Sequence, residues 1–292
     1  MKIVYIVEDF AENGGVERIV SLKANELSTK YGHDVTIVSV YKDERPVLYS
    51  LDKSIGFVRL DVPFATKSHG RIATLASRVA TLARAASRLN KAVKQLDPDI
   101  IFFTTTLGAL LLPFCRTKAK RVYESHLARP FNPYQQLFWL TKRSADAVIC
   151  LTMGDMHAFG DGRNVRLIPN FIEQPKRSSN NIMDVYPEYS LHIMSSRYEG
   201  QPMTLIEAQA CGLPSVVFNF KFGAADIVQN GVNGIIVEQN DCKAFSEALC
   251  KMMSSEDMRK KYGQNALEVG RQYFKNNVFS KWIELLEFIS KA

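Results

Sequence analysis

The chain has 292 residues, 46% hydrophobic and 23% charged, with a formal net charge of +7. That balance excludes a disordered, collagen-like, coiled-coil or small disulfide-stapled protein. The length allows about two domains at ~150 residues each, yet falls short of two complete doubly wound domains with their connections.

A net positive charge calls for an anionic partner such as nucleotide phosphates, acidic lipid or nucleic acid. No nucleic-acid-binding signature accompanies it, so nucleic acid is not expected. The cysteines Cys115, Cys150, Cys211, Cys242 and Cys250 are odd in number and form no Cys-x-x-Cys pair. They read as reduced thiols in a reducing compartment. The five histidines lack metal-ligand spacing. The opening apolar run meets Glu8 and Asp9 too early for a secretory core, and Ala109 to Phe114 is too short to cross a bilayer. A cytoplasmic protein is therefore expected.

In chain order, strands are predicted at Ile3–Val7, Asp34–Val40, Phe57–Leu60, Ile100–Thr104, Arg121–Glu124, Ala147–Leu151 and Val165–Ile168. Helices are predicted between them at Val16–Tyr31, Ile72–Leu96, Leu107–Cys115, Tyr134–Lys142 and Gly154–Ala158. Strands alternating with helices in ~30-residue steps argue a parallel sheet with crossover helices. Turn-forming residues concentrate at Pro169–Ser179 and mark a boundary. Beyond it lie strands Leu191–Ser195, Ser215–Phe218 and Gly234–Glu238, with helices Met203–Cys211, Ala224–Gln229, Cys242–Ser254, Ser255–Tyr273 and Val278–Ile289. The expected division is 1–172, 173–277 and a terminal helix 278–292.

Two stretches carry chemistry. Gly14-Gly15 ends a loop after the first strand and opens a helix. Glycines let backbone N–H groups approach a phosphate at a helix start, although a tight strand-to-helix turn uses them equally. The loop is not G-x-G-x-x-G, so a dehydrogenase fingerprint is absent. The second stretch runs from Ser196 to Ala208. Glu199 lies just past a strand end and Glu207 in the first turns of the next helix, near the sheet edge where ligands bind in open α/β folds. A carboxylate accepts two hydrogen bonds from a vicinal diol, which suits a sugar or ribose. The plainer readings are a capping box at Thr204-x-x-Glu207 and a solvated charge at Glu199.

The string Glu-Gly-x-Pro-x-x-x-x-Glu-Ala at 199–208, followed by Gly212-x-Pro214 and Asn233-Gly234, resembles the retaining glycosyltransferases of family four. Gly14-Gly15-Val16-Glu17, Gly32-His33-Asp34-Val35, Pro98-Asp99-Ile100-Ile101 and Ile168-Pro169-Asn170 are similar to that family's first-half motifs. The resemblance implies an α/β fold of GT-B type, two Rossmann-like domains facing a cleft. It implies that Gly14 and Gly15 approach a donor diphosphate and that His126 contacts the donor sugar. Glu199 would hold sugar hydroxyls, helped by Gly200, Gln201, Pro202 and Met203. Thr204 and Leu205 would offer N–H groups to phosphate, and Glu207 would hold the ribose. The implied partners are a nucleotide-sugar donor and a glycan or lipid-linked acceptor, as in surface polysaccharide biosynthesis, with no cofactor or metal. Asp97-Pro98-Asp99 is no metal clamp, since it precedes its strand.

The chain departs from the family after Asn170, where a Gly-Arg…Lys element would clamp the diphosphate. Here the sequence runs through Lys176 and Arg177 into Asn181–Tyr186, which resembles a much later helix of the family's second domain. About two βα units of ~30 residues are lacking, so the second domain is expected to be incomplete. Donors lost around a leaving group cost ~10²–10³ each in rate, and slowed or lost transfer is expected. Lys176, Arg177 and Arg197 are the candidate substitutes. A truncated, non-catalytic nucleotide-sugar-binding module is the alternative, and another GT-B enzyme such as an epimerase is a third reading.

Ile72, Leu75, Val79, Leu82, Ala86, Leu89, Val93 and Leu96 form one helix stripe, with Arg84, Arg88 and Lys91 opposite. The stripe reads as packing on the sheet under a solvated basic face. The alternative is peripheral contact with an anionic membrane.

Overall fold

A computed structural model describes residues 1–12, 14–42, 45–65, 71–126, 135–160, 162, 164–174 and 182–291. The calls at Lys176 and Arg177 lie outside the described residues.

The chain forms two compact units. The first holds a seven-stranded sheet: β1 (Lys2–Val7), β2 (Asp34–Tyr41), β3 (Gly56–Val62), β4 (Ile100–Thr104), β5 (Lys120–Ser125), β6 (Ala147–Cys150) and β7 (Val165–Leu167). Its order is β3-β2-β1-β4-β5-β6-β7, and the pairings of β1, β2, β3, β4 and β5 are parallel. This is the doubly wound order, and it puts the C-terminal ends of the strands on one edge. Every residue of β4 is buried, as are Ile3–Val7 and Val35–Val40. Continuous apolar runs of this kind need cover on both faces.

The helices of this stretch are α1 (Gly15–Thr29), α2 (Arg71–Leu96), α3 (Thr105–Leu111), α4 (Phe138–Ser144) and α5 (Met153–Phe159). Single 3₁₀ turns follow α3 and precede α4. The stripe predicted on α2 is only half realised. Thr81, Ala85, Leu89, Ala92 and Val93 are buried, but Leu75 and Val79 stand 63% and 59% exposed. The sheet-facing side turns through Thr81 and Ala85, whose small side chains carry no hydropathy signal. Arg88 is not a free basic charge either. Its Nη1 donates to the carbonyls of Leu60 (2.6 Å) and Asp61 (2.8 Å) and closes the end of β3.

The second unit contains α6 (Ile182–Val185), β8 (His192–Met194), α7 (Met203–Ala210), β9 (Ser215–Phe218), α8 (Ala224–Ile227) and β10 (Gly234–Val237). It continues through α9 (Cys242–Ser254), α10 (Glu256–Arg271) and α11 (Lys275–Lys291). Among the described residues its sheet has three parallel strands, β10-β9-β8. Alternation along β9 divides the core. Val217 packs with Leu205, Ile206, Phe220 and Ile227, and Val216 and Phe218 with Phe245 and Met252. Helix α10 meets α7 at Gly270, where a Cβ would fall on the backbone of Ala210.

The units interleave along the chain. The first takes residues 1–149, 162–166 and 289 onward, and the second takes the stretch around α5 and 167–288. The single division expected after residue 172 thus becomes several crossings, and residues 275–288 of α11 belong with the second unit.

Candidate functional site

In the second unit, the loops leaving the C-terminal ends of β8, β9 and β10 are tied together. Gln239 Nε2 donates to the carbonyl of Arg197 (2.7 Å), and Asn219 Nδ2 donates to Glu238 Oε1 (3.2 Å). Gly223 is left-handed, with φ 97°, and a Cβ there would stand 2.7 Å from Pro202 Cδ. The loop after β9 thus packs against the start of α7, which the sequence motifs did not show.

Glu199 sits in the loop after β8, where its Oε1 accepts from Ser196 Oγ at 2.7 Å. Gln201 Oε1 accepts from the amide of Asn170 at 2.7 Å, joining the Ile168-Pro169-Asn170 segment to this loop. Pro202 is the N-cap of α7 and makes no side-chain cap bond. Thr204 is therefore inside the helix, and the capping-box reading of Thr204 and Glu207 does not hold. Helix geometry leaves the amides of Met203 and Thr204 without intrahelical partners. The Leu205 amide instead bonds to the Pro202 carbonyl at 3.1 Å, and its side chain is fully buried. Among the described residues, the amides that helix geometry leaves open at this helix start are those of Met203 and Thr204, and that of Leu205 is not among them. Gly200 precedes them in the same loop. Glu207 is 2% exposed, a buried carboxylate in the second turn of α7. Arg197 lies in the loop of Glu199, a cation on the same sheet edge.

Asn233 is fully buried in a polar network. Its Nδ2 donates to Gln209 Oε1 (2.7 Å) and the Ile227 carbonyl (2.9 Å), and its Oδ1 accepts from the Gln229 amide (2.7 Å). Gln209 Nε2 reaches Ser215 Oγ at 2.9 Å. This buried network fixes α7 against the loop before β10.

In the first unit, Gly14 is the N-cap of α1. The space beside it is filled by the Glu17 carboxylate, whereas nothing lies within 4 Å of a Cβ at Gly15. Burial, then the neighbouring carboxylates of Glu12, Asp9 and Glu8, push the Glu17 carboxyl up to about 7, against its own backbone amide. Of the two glycines, only Gly15 offers open backbone.

His126 follows β5. Its Nε2 lies 3.0 Å from Glu124 Oε2, and the same oxygen accepts from Lys23 Nζ of α1 at 2.6 Å. The side chains of all three are at most 4% exposed. Burial pushes the His126 imidazole below its ordinary range, which favours the neutral ring. Burial favours the acid form of Glu124, but Lys23 and His126 outweigh it and hold the carboxyl below the usual range. The sequence singled out His126 only through the family resemblance and did not pair it with Glu124 or Lys23. The available signal was Lys23 inside the buried stripe Ile19, Val20, Ala24 and Leu27 of α1.

Asp99 Oδ2 accepts from the Lys2 amide at 2.7 Å. That bond lies at the opposite, N-terminal end of β1.

A doubly wound parallel unit followed by a second unit with a parallel sheet is an arrangement found in GT-B glycosyltransferase folds. Solved structures agree. The lipopolysaccharide outer core galactosyltransferase WaaB in its apo form matches with a TM-score of 0.74 at 14% identity, covering 98% of this chain and 99% of that one. HepE of Anabaena in complex with UDP and glucose matches at 0.70 and 14%, covering 100% of both. At such identities the likeness is one of fold. The chain belongs to Glycosyltransferase Family 4, whose model matches residues 13–174, and the model for glycosyl transferases group 1 matches 164–269. The poly(glycerol-phosphate) alpha-glucosyltransferase of Bacillus subtilis is 23% identical over 64% of this chain and 29% of its own length. The amylovoran biosynthesis glycosyltransferase AmsD of Erwinia amylovora is 33% identical over 37% of this chain and 30% of its own. The chain thus spans under a third of the length of each of these curated relatives. Among the described residues no helix is long and apolar enough to cross a membrane.

Proposed function

We propose that the chain moves a hexose from a nucleotide sugar to a glycan or lipid-linked acceptor in surface polysaccharide synthesis, with retention at the anomeric carbon. The observation that carries this reading is the edge of the β8–β10 sheet. There Glu199, held by Ser196, shares a loop with the two amides that open α7, and Glu207 follows one turn on. Glu199 accepts hydroxyls of the sugar, Glu207 those of the ribose, and the amides of Met203 and Thr204 face the diphosphate. Gly15 and His126 of the first unit are proposed as further donor contacts. The acceptor oxygen bonds to the anomeric carbon as the bond to phosphate breaks, and the acceptor's proton passes to the leaving phosphate. The names of the Bacillus and Erwinia relatives support a polymer acceptor.

The three-stranded second sheet favours one other reading, donor binding without turnover. A screen of UDP- and GDP-sugars for released nucleoside diphosphate separates the two. Turnover that falls about 10²-fold in Glu199→Gln supports transfer. Calorimetric binding of UDP or GDP without release supports the binding module. Neither binding nor release refutes both.

An anionic membrane is the proposed surface for a lipid-linked acceptor. A groove of about 730 Å³ runs along α2, lined by Val79, Leu82, Ala86, Pro113 and Phe114, with Arg116 beside them. Leu75 and Val79 stand exposed at its helix, with the exposed Arg78 between them in sequence. Apolar side chains flanked by cations suit a headgroup layer.

A further inference from the structure

Lys23 and Glu124 are a buried ion pair joining α1 to β5, and Lys23 stands among the buried residues Ile19, Val20 and Ala24 of the helix. Such a pair is weak as a stabiliser, because the cost of stripping two charges of water offsets their attraction. What distinguishes this pair is the oxygen it shares. Glu124 Oε2 takes both Lys23 Nζ at 2.6 Å and His126 Nε2 at 3.0 Å. A carboxylate has only lone pairs to offer, so the imidazole nitrogen facing it must carry the proton. The neutral ring has one proton, so Nδ1 keeps its lone pair. The other carboxylate oxygen, Oε1, has no hydrogen-bond partner among the described residues. All the directional hold found on Glu124 among those residues falls on the oxygen that faces His126.

We infer that Lys23 and Glu124 are positioning residues, which lock His126 as the Nε2-protonated tautomer in one orientation and so present Nδ1 as an acceptor for a hydroxyl of the donor sugar. The inference rests on the proposed donor contact of His126, but its structural half is testable without any donor. Lys23 fixes the carboxylate, the carboxylate fixes the ring, and the ring reads a hydroxyl. An unlocked imidazole also samples the Nδ1-protonated tautomer, which offers an N–H in place of that lone pair.

The test uses the full chain labelled with nitrogen-15 histidine, with His126→Ala assigning the signal. The wild type is expected to show one His126 tautomer, protonated at Nε2, between pH 6 and 8. Removing Lys23 alone strands a buried carboxylate and endangers folding, so the informative variant is Lys23→Met with Glu124→Leu. An apolar replacement of a buried pair commonly folds as well as the parent. In that variant His126 is expected to show a second tautomer at about a tenth or more of the population. With UDP-glucose as the probe, kcat for UDP release is expected to fall about tenfold or more while KM stays within about threefold. A wild-type ring protonated at Nδ1 overturns the inference, as does a folded double variant that keeps one tautomer or full kcat. If the wild type turns over no UDP-glucose, that counts against the functional reading, and the imidazole spectra still decide the positioning role.

Discussion

Glu17 makes the first unit's stability fall as pH rises. Its carboxyl is folded back over Gly14, is 5% exposed, and is pushed up to about 7 by burial and by three neighbouring acids. In the unfolded chain it titrates near 4.5. The folded state therefore binds this proton more tightly. The contribution is fully present below the unfolded value and is lost as pH climbs through 7. A rise of that size is worth about 3 kcal/mol, and solvent entering at the loop mouth reduces it to about 2 kcal/mol. Glu17→Gln keeps the shape and removes the charge. It is expected to stabilise the protein by about 2 kcal/mol at pH 8 and by only about a quarter of that at pH 5. Urea unfolding followed by circular dichroism at the two pH values measures the difference, and amide exchange over residues 15–29 localises it. An equal offset at both pH values, or a destabilised variant at pH 8, would refute the reasoning.

The second unit is expected to respond in the opposite direction. Burial lowers His192 to about 4, so its contribution is full above 6.5 and is lost as pH falls toward 4. His192→Gln should remove that acid-side loss in the same titration. Asn233→Ala deletes three side-chain hydrogen bonds, two of them buried, and leaves Gln209 Oε1 without its Asn233 donor, and should cost about 2–4 kcal/mol in urea unfolding. Gly270→Ala drives a methyl into the backbone of Ala210 and should cost about 3 kcal/mol or more, seen as a thermal midpoint lowered by at least several degrees. Leu75→Glu with Val79→Glu should abolish co-sedimentation with acidic liposomes and leave the melting curve unchanged, since both side chains face solvent.

The strands were legible because buried parallel strands are written as unbroken β-branched and aromatic runs. Ile100–Thr104 and Ser215–Phe218 are found at the residues expected. Among the described residues the second sheet has the three strands that could be counted after Glu173. Helix α2 was misread over its first turns because periodicity reports an apolar face and not what that face meets. Thr204-x-x-Glu207 looked like a cap because spacing cannot tell Pro202 at the N-cap from Thr204. The supports of His126 were illegible for a different reason. Lys23 and Glu124 lie 101 residues apart, and only the pairing of β1, β4 and β5 beneath α1 brings them together.

The way the two units share the chain governs how the protein can be divided. The α5 segment follows β6 in sequence, yet at Gly154 it abuts Phe222, with no room for even a methyl group. A gene split after residue 172 would sever α5 from that partner and take β7 away from the segment that it leads into. Neither fragment would carry all of its own packing, so a two-piece expression scheme should begin from co-produced halves and not from separately purified ones.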